Sequence, residues 1–427
     1  MAGREVAISH PDKVLFPQLG HTKLDLVRYY LSVSDGALRG AGGRPNMLVR
    51  YPDGIDGEHF YQKRAPTARP SWIEVADIHF PSGRAAQEVV PRDAAALAWL
   101  ANLACLELHP HPVRADNLEH PDELRIDLDP IPGVTWRQVQ EVTAIAGAVL
   151  RDFKLVGWPK TSGSRGMHVL VRLQPRWSFA EVRRAALALA REVETRAPQL
   201  ATSKWWKEER QGVFVDYNQN AKDRTVASAY SVRPNAQARV STPLSWEEIA
   251  DCDPAEFTMS TVPARFLKLG DVHAGIDAHA GSLEGLLELF ERQGLGDAPW
   301  PPHYRRGDSE PPRVPPSKRR KTPQASTAAA PDAAAGRKAS RSRRHKHPLI
   351  EIGRARHKHD ALAGLERWKA SHPQAARHLE PADILVDVMR GRYSTWTRIR
   401  VNLQHVPEAQ RPAQEALDPD EKIDSSS

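Results

Sequence analysis

The chain has 427 residues, 40% hydrophobic and 26% charged, enough for two or three folded units at about 100–200 residues each. Its two cysteines, Cys105 and Cys252, exclude a disulfide framework and a Cys-based zinc site; with no apolar leader in MAGREVAISHPDK and no apolar run near about 18 residues, a cytoplasmic protein without a membrane partner is expected. The net charge of +7 is local: residues 301–347 hold 13 Lys/Arg against 3 Asp/Glu, a net +10 that leaves −3 elsewhere, so it points to a basic arm able to lie along phosphates and says nothing of the folded part.

In chain order, residues 1–300 read as one large unit. Within it Asp93 is a plausible N-cap for the helix AAALAWLANLACLEL. LRIDLDP alternates with period two, placing Leu124, Ile126 and Leu128 on one face and Asp127 and Asp129 on the other, with Pro130 ending the strand. Capping boxes at Thr135/Gln138 and Ser178/Glu181 open two helices. KLVGWP and MHVLVRL are expected as strands around the turn KTSGSRG, VFVDYNQ as another strand and LSWEEI as a short helix. The class is α+β. Residues 301–347, rich in Pro, Ala, Ser and Arg, cannot offset their ordering entropy and read as a disordered linker. Residues 348–407 read as a small accessory module: one helix with Leu362, Leu365 and Trp368 on its buried face, then two strands around Gly391. Residues 408–427 read as a polar tail.

Asp127 and Asp129 lie about 6–7 Å apart along one strand face, a spacing suited to two divalent cations about 3.5–4 Å apart. An ordinary strand end before Pro130 has the same pattern. Asp216 is a third acid in an apolar strand and calls for a metal or a basic partner. Ser162, Gly163, Ser164, Arg165 and Gly166 form a turn whose backbone N–H groups are expected to face a phosphate, with His168 close by; a plain hairpin turn has that composition too. Together these groups describe a metal-dependent nucleotidyl-transfer site using Mg²⁺ or Mn²⁺.

In this order, LRIDLDP, TSGSRGMHVLV and VFVDYNQN resemble the three catalytic motifs of the archaeo-eukaryotic primase superfamily. HPDKVLFPQLGHTKLDLVRYY, RYPDGIDGEHFYQKRAP, WLANLACLELHPHP and ASAYSVRP extend a closer resemblance, from about Ile8 to Ile249, to the polymerase domain of bacterial ligase D in its stand-alone primase-polymerase form. The resemblance implies an RRM-like catalytic sheet packed on a smaller N-terminal α/β part. It implies Asp127, Asp129 and Asp216 as metal ligands for two Mn²⁺ or Mg²⁺ ions. It implies Ser162, Ser164, Arg165, His168 and Arg233 on the nucleotide triphosphate, and His109 at the primer terminus. Lys13 and Lys23 would grip the 5′-phosphate of a DNA gap or break, and Phe60 and Tyr61 would stack on template bases. The implied activity is gap filling and end extension in end joining or excision repair, with a preference for ribonucleotides over dNTPs. His10 stands where the family usually has Asn, Tyr61 where it has Phe, and Val49 precedes Arg50 where some relatives carry Lys. No zinc element and no K-x-D-G ligase motif appears, so a separate DNA ligase, and Ku, are the expected partners. Two other readings compete: a Mn²⁺-dependent D-x-D glycosyltransferase, and a non-catalytic scaffold that binds DNA ends.

Overall fold

The structure, a computed structural model, describes residues 3–301, 304, 349–355, 358–380, 383–390 and 395–413. The chain divides into two compact units, residues 1–320 and 321–427.

The first unit opens with a small antiparallel ribbon, β1 (Val14–Phe16) and β2 (His21–Thr22). Thr22 then caps α1 (Lys23–Ser32): its hydroxyl accepts from Asp25 N while the Asp25 carboxylate accepts from Thr22 N. After α2 (Ser34–Ala41) come β3 (Asn46–Arg50), β4 (Phe60–Gln62), β5 (Glu74–His79) and β6 (Ala85–Val90). They form one sheet in the order β4-β3-β6-β5, which β7 (Cys105–Pro110) joins by pairing with β3. Between β6 and β7 lies α3 (Ala94–Asn102), capped as expected by Asp93, whose carboxylate accepts from Ala96 N. α3 is apolar on all sides, and Ala95 to Ala101 are all buried.

The second sheet of this unit is built on β8 (Glu123–Pro130). With β9 (Gly157–Thr161), β10 (Met167–Arg172), β11 (Ala201–Thr202) and β12 (Val213–Asp216) its order is β11-β12-β8-β10-β9. The two expected capping boxes are present and open α4 (Trp136–Asp152) and α5 (Phe179–Arg196). Both helices pack on β8, and Leu124, Ile126 and Leu128 share one core with Val139 and Val142 of α4 and Val182 and Leu189 of α5. Each such side chain contributes about 1.5–3 kcal/mol by leaving water. A one-residue slip would turn the acids into that apolar core instead, so this face fixes the register of β8 and turns Asp127 and Asp129 the other way. VFVDYNQ is a strand only as far as Asp216; Tyr217–Asn220 coil into a 3₁₀ turn. LSWEEI likewise gives a single 3₁₀ turn, Glu247–Ala250.

α6 (Val262–Leu269) and α7 (Glu284–Gln293) complete the unit, α7 packing on α5. Folded contacts run slightly past residue 300: the Arg183 guanidinium lies 4.2 Å from the Trp300 ring centre, and Tyr304 donates to Asp223 at 2.8 Å. The rest of the expected linker lies outside the described residues.

The second unit holds β13 (Leu349–Ala355), α8 (Lys358–Ser371), α9 (Pro373–Ala376), β14 (Ile384–Arg390) and β15 (Thr395–Asn402), with sheet order β13-β15-β14. Leu365 and Trp368 of α8 are buried with Ile350, Ile399 and Val401, and Leu362 packs against them. β13 is a strand that the sequence reading leaves unassigned. The turn expected at Gly391 lies outside the described residues. Arg411 folds back to donate to Leu403 O and Val406 O, so ordered contacts pass Pro407. Among the described residues no helix is long and apolar enough to cross a membrane.

Candidate active site

Strand register places four polar residues in one row across the second sheet. Asp216 of β12 pairs with Asp127 of β8, Asp127 with His168 of β10, and His168 with Lys160 of β9. Asp129 lies one step along β8, opposite Phe214. Asp127, Asp129 and Asp216 each offer a carboxylate oxygen, and these oxygens lie within 4.8 Å of one another.

The electrostatics of this cluster are unfavourable for the protein alone. Burial carries the Asp127 carboxyl to about 6, against the pull of Lys160 and Arg233. Asp129 sits at the mouth, open to solvent on one side. Protein crowding on its other sides, then repulsion from Asp127 and Asp216, carry it to about 7. Asp216 is raised by burial and by Asp127. It accepts from Asn218 N at 2.9 Å and Gln219 Nε2 at 3.1 Å, and no cation pairs with it within 4 Å among the described residues. Asp127 Oδ1 is buried without a hydrogen-bond partner; His168 Nε2 lies 3.3 Å away but is not aligned to donate. An orphaned buried oxygen inside an all-oxygen, all-acidic donor set fits a hard divalent cation.

A cavity of about 230 Å³ faces these acids. His109, Asp127, Asp129, Ser162, Ser164, His168 and Arg233 line it, together with Gln219 and Thr225. Arg165 does not; it lines an adjoining cavity of about 440 Å³, with Asp129, Ser162, Ser164, Lys207 and Arg210. The loop between β9 and β10 differs from expectation in one respect. The N–H groups of Ser164 and Gly166 both donate to Ser162 Oγ at 3.1 Å, so they close the turn rather than stand free for a phosphate. Glycine is required in this loop: Gly163 has φ +70, and a Cβ there would lie 2.5 Å from Arg233 Cγ.

The first sheet supplies the facing wall. Glu107 and His109 are two apart on β7 and share a face. Arg233 Nη1 lies 3.0 Å from Glu107 Oε1, and His109 Nε2 lies 3.6 Å from it. Burial pushes the Glu107 carboxyl up, but His109 and Arg233 more than offset this and hold it below the usual range. Glu107 thus anchors both basic groups at the cavity.

Five of the expected residues line neither cavity: Asp216, which meets the other two acids behind it, and Lys13, Lys23, Phe60 and Tyr61. Lys13 and Lys23 are neighbours, since Lys23 N donates to Lys13 O at 2.8 Å. Lys13 bridges to Asp53 at 2.7 Å, an exposed pair worth about 0–1 kcal/mol. Lys23 is buried and donates to Ser9 O at 2.6 Å; burial, then repulsion from Lys13 and Arg50, lower its pKa. His10, beside them, has φ 46, a left-handed conformation that asparagine adopts more readily. Phe60 and Tyr61 stand on β4 with 44% and 63% of their surface exposed, and as consecutive strand residues they point to opposite faces. The Arg50 guanidinium lies 5.2 Å from the Phe60 ring centre.

The sequence reading does not include Lys160, Glu107, Gln219 or Thr225 in the site. Alternation in LELHP carried a signal for Glu107, which shares a face with His109. Lys160 offered only a lone charge beside the SGSRG turn.

A mixed sheet with three converging acids, two of them lining a cavity with Ser, His and Arg, is an arrangement suited to metal-dependent nucleotidyl transfer. The LigD primase-polymerase domain family matches residues 22–273, and the chain belongs to that family. It is 33% identical over 299 residues to the multifunctional non-homologous end joining protein LigD of Mycolicibacterium smegmatis, covering 69% of this chain and 39% of that protein. It is 32% identical over 290 residues to the LigD of Pseudomonas aeruginosa, covering 67% and 34%. Among solved structures it is similar to the polymerase domain of Mycobacterium tuberculosis ligase D in complex with DNA. There the TM-score is 0.61 at 32% identity, covering 65% of this chain and 99% of that one. The chain therefore spans less than half the length of these curated relatives. Lys13 and the second unit lie outside the family match. Family membership sets the glycosyltransferase reading aside.

Proposed function

We propose that this protein is a template-directed nucleotidyltransferase that fills short DNA gaps and extends broken ends during repair, favouring ribonucleotides. The observation that carries the reading is the convergence of Asp216 with Asp127 and Asp129, the latter two lining the cavity with Ser162, Ser164, His168 and Arg233. The three carboxylates are the residues to hold two divalent cations, Mg²⁺ or Mn²⁺. Such ions, held by these carboxylates, would supply charge neutralisation at a triphosphate and a lowered pKa at a primer 3′-hydroxyl. Arg233, braced by Glu107, offers a fixed positive charge to the phosphates, Arg165 a second one at the adjoining cavity, and the Ser162–Gly166 loop shapes the pocket. His109 lines the same cavity, and in this reading it meets the primer end. The relatives are named as non-homologous end joining proteins, which favours break ends as substrates.

Single-nucleotide incorporation on a short gap tests this, comparing 5′-phosphate with 5′-hydroxyl ends, ribo- with deoxynucleotides and Mn²⁺ with Mg²⁺. Phosphate-stimulated synthesis favouring ribonucleotides is expected. Lys13→Ala is expected to erase most of the 5′-phosphate preference, about tenfold for one charge-assisted contact, with open primer-templates extended as before. An unchanged preference removes Lys13 from the role.

Phe60→Ala and Tyr61→Ala are each expected to weaken template binding by about 1–3 kcal/mol per stacked base, without sequence dependence. Both rings are largely exposed, so thermal unfolding should not shift. Fluorescence titration with single-stranded overhangs reads the first effect and calorimetry the second. Unchanged affinity would place the bases elsewhere.

A further inference from the structure

We propose that Arg183 is a positioning residue for Asp216: it ties the turn Tyr217–Asn220 to the segment at residues 297–300, and donors on that turn then hold the Asp216 carboxylate beside the other acids. The inference rests on the reading of the three acids as cation ligands.

Pairing with β8 fixes the Asp216 backbone but leaves its side chain to rotate. Repulsion from the neighbouring acids, whose oxygens lie within 4.8 Å, favours a carboxylate swung away from them. Two donors oppose that, Asn218 N at 2.9 Å and Gln219 Nε2 at 3.1 Å. Both belong to the 3₁₀ turn Tyr217–Asn220 that follows the strand, and so short a 3₁₀ turn is weakly held by its own hydrogen bonds. Asp216 is therefore only as firmly placed as the turn is anchored.

Asn220 anchors one end, bonding through its side chain to Arg125 N and O on β8. Asn218 is held from α5. Arg183 is fully buried there, and its Nε and Nη2 both donate to Asn218 Oδ1, at 3.2 and 3.0 Å. A guanidinium only donates, so the amide oxygen, and not the nitrogen, must face it. The same guanidinium grips a segment at the end of the first unit. Nη1 donates to Asp297 Oδ1 at 2.8 Å, and Nη2 to Pro299 O at 2.7 Å and Ala298 O at 3.3 Å. The ring centres of Trp300 and Tyr217 lie 4.2 and 5.2 Å from it. Just past the turn, Asp223 accepts from Tyr304 Oη at 2.8 Å and its N–H donates back at 3.3 Å. This segment lies beyond residue 273, where the family match stops, yet it reaches the turn that holds Asp216. A lysine at 183 would offer one nitrogen in place of a fork and could not join the turn to the segment in this way.

The test is Mn²⁺ alone, titrated into the full chain and followed by loss of the free-ion electron paramagnetic resonance signal. Asn218→Ala keeps the backbone N–H that meets Asp216 and leaves Arg183 its contacts at residues 297–300. It is expected to weaken Mn²⁺ binding about tenfold, the worth of one firmly held ligand made loose. Amide hydrogen exchange across residues 216–220 should quicken in the same variant. Arg183→Met is expected to weaken binding at least as much, and Arg183→Lys not to restore it. Adding Asn218→Ala to Arg183→Met should cost nothing further, since both break one link. Melting in chelator is measured for each variant, so that affinities are compared well below the midpoint; if Arg183→Met does not fold, Asn218→Ala decides. Unchanged Mn²⁺ affinity in Asn218→Ala, or additive losses in the double variant, overturns the proposal. Failure of the underlying reading looks different: the unaltered chain would then bind Mn²⁺ no better than Asp216→Asn does, and the proposal falls with it.

Discussion

Asp127→Asn is expected to abolish nucleotide incorporation while DNA binding survives. Asp127 sits between Asp216 and His168 in the sheet and is the most buried of the three acids, so it is the ligand least replaceable by water. Losing one charged ligand weakens cation binding and the charge neutralisation it brings, an effect of several kcal/mol, or about a thousandfold or more in rate. The same change should stabilise the cation-free fold. Three carboxylates with oxygens within 4.8 Å repel one another, and burial carries Asp127 to about 6 and Asp129 to about 7. At neutral pH folding must keep them partly ionised against that cost, and asparagine removes one charge. Calorimetry in chelator should show the variant melting a few degrees above the wild type, at about 2–4 °C per kcal/mol. Added Mg²⁺ or Mn²⁺ should raise the wild-type midpoint and leave the variant's nearly unmoved. Synthesis retained by the variant would sink the assignment of the acids; an identical cation response in both proteins would sink their role as ligands.

What the sequence discloses of this site divides along sequence distance. The D-x-D pair, the strand through Leu124, Ile126 and Leu128, and the caps at Thr135 and Ser178 are local patterns, each decided within a few residues, and the structure contains them all. The row Asp216–Asp127–His168–Lys160 is different: it exists only through the register of four strands. Nothing near Lys160 in sequence marks it, because its partners Ala227 and Ser241 arrive from far along the chain. Glu107 is similar: its partner Arg233 comes from a distant segment, and only alternation with His109 hinted at its direction. The phosphate loop shows a second limit. Its Gly and Ser content correctly indicates a tight turn, but the same serines compete for the backbone N–H groups, and Ser162 takes two of them. The resemblance to ligase D polymerase domains supplied what spacing did not, since it gathered acids, loop and Arg233 into one site before any contact was known.

The second large effect lies at the other end of β8. Glu123 and Asp122 are buried among Arg44, Arg125 and Arg172: Glu123 lies 2.9 Å from Arg125 Nε and 3.0 Å from Arg172 Nη1, and Arg44 grips both oxygens of Asp122. Exchanging the whole cluster for packed apolar groups would change stability little, because the desolvation of so many charges offsets their attraction. Removing one partner is another matter. Glu123→Gln leaves Arg125 with no carboxylate within 4 Å and takes one of the carboxylates from Arg172 and Arg44, which keep Asp122 and, for Arg172, Asp277; it is expected to destabilise the fold by about 3–5 kcal/mol. Burial pushes Glu123 up, but Arg44, Arg125 and Arg172 outweigh it and hold its carboxyl far below the ordinary range. A depressed carboxylate stabilises the fold fully above its unfolded pKa of about 4.3, and that contribution is lost as pH falls toward the folded value. The gap between wild type and Glu123→Gln in urea unfolding should therefore be full at pH 7 and narrow steadily below about pH 4. A gap under about 1 kcal/mol at pH 7 would mean the arginines find other acceptors, and a gap independent of acid would mean Glu123 acts by shape alone. Catalysis far below the melting midpoint should survive the change. Arg125 N and O bond to Asn220, on the turn that follows Asp216, and these bonds tie β8 to β12 without Glu123.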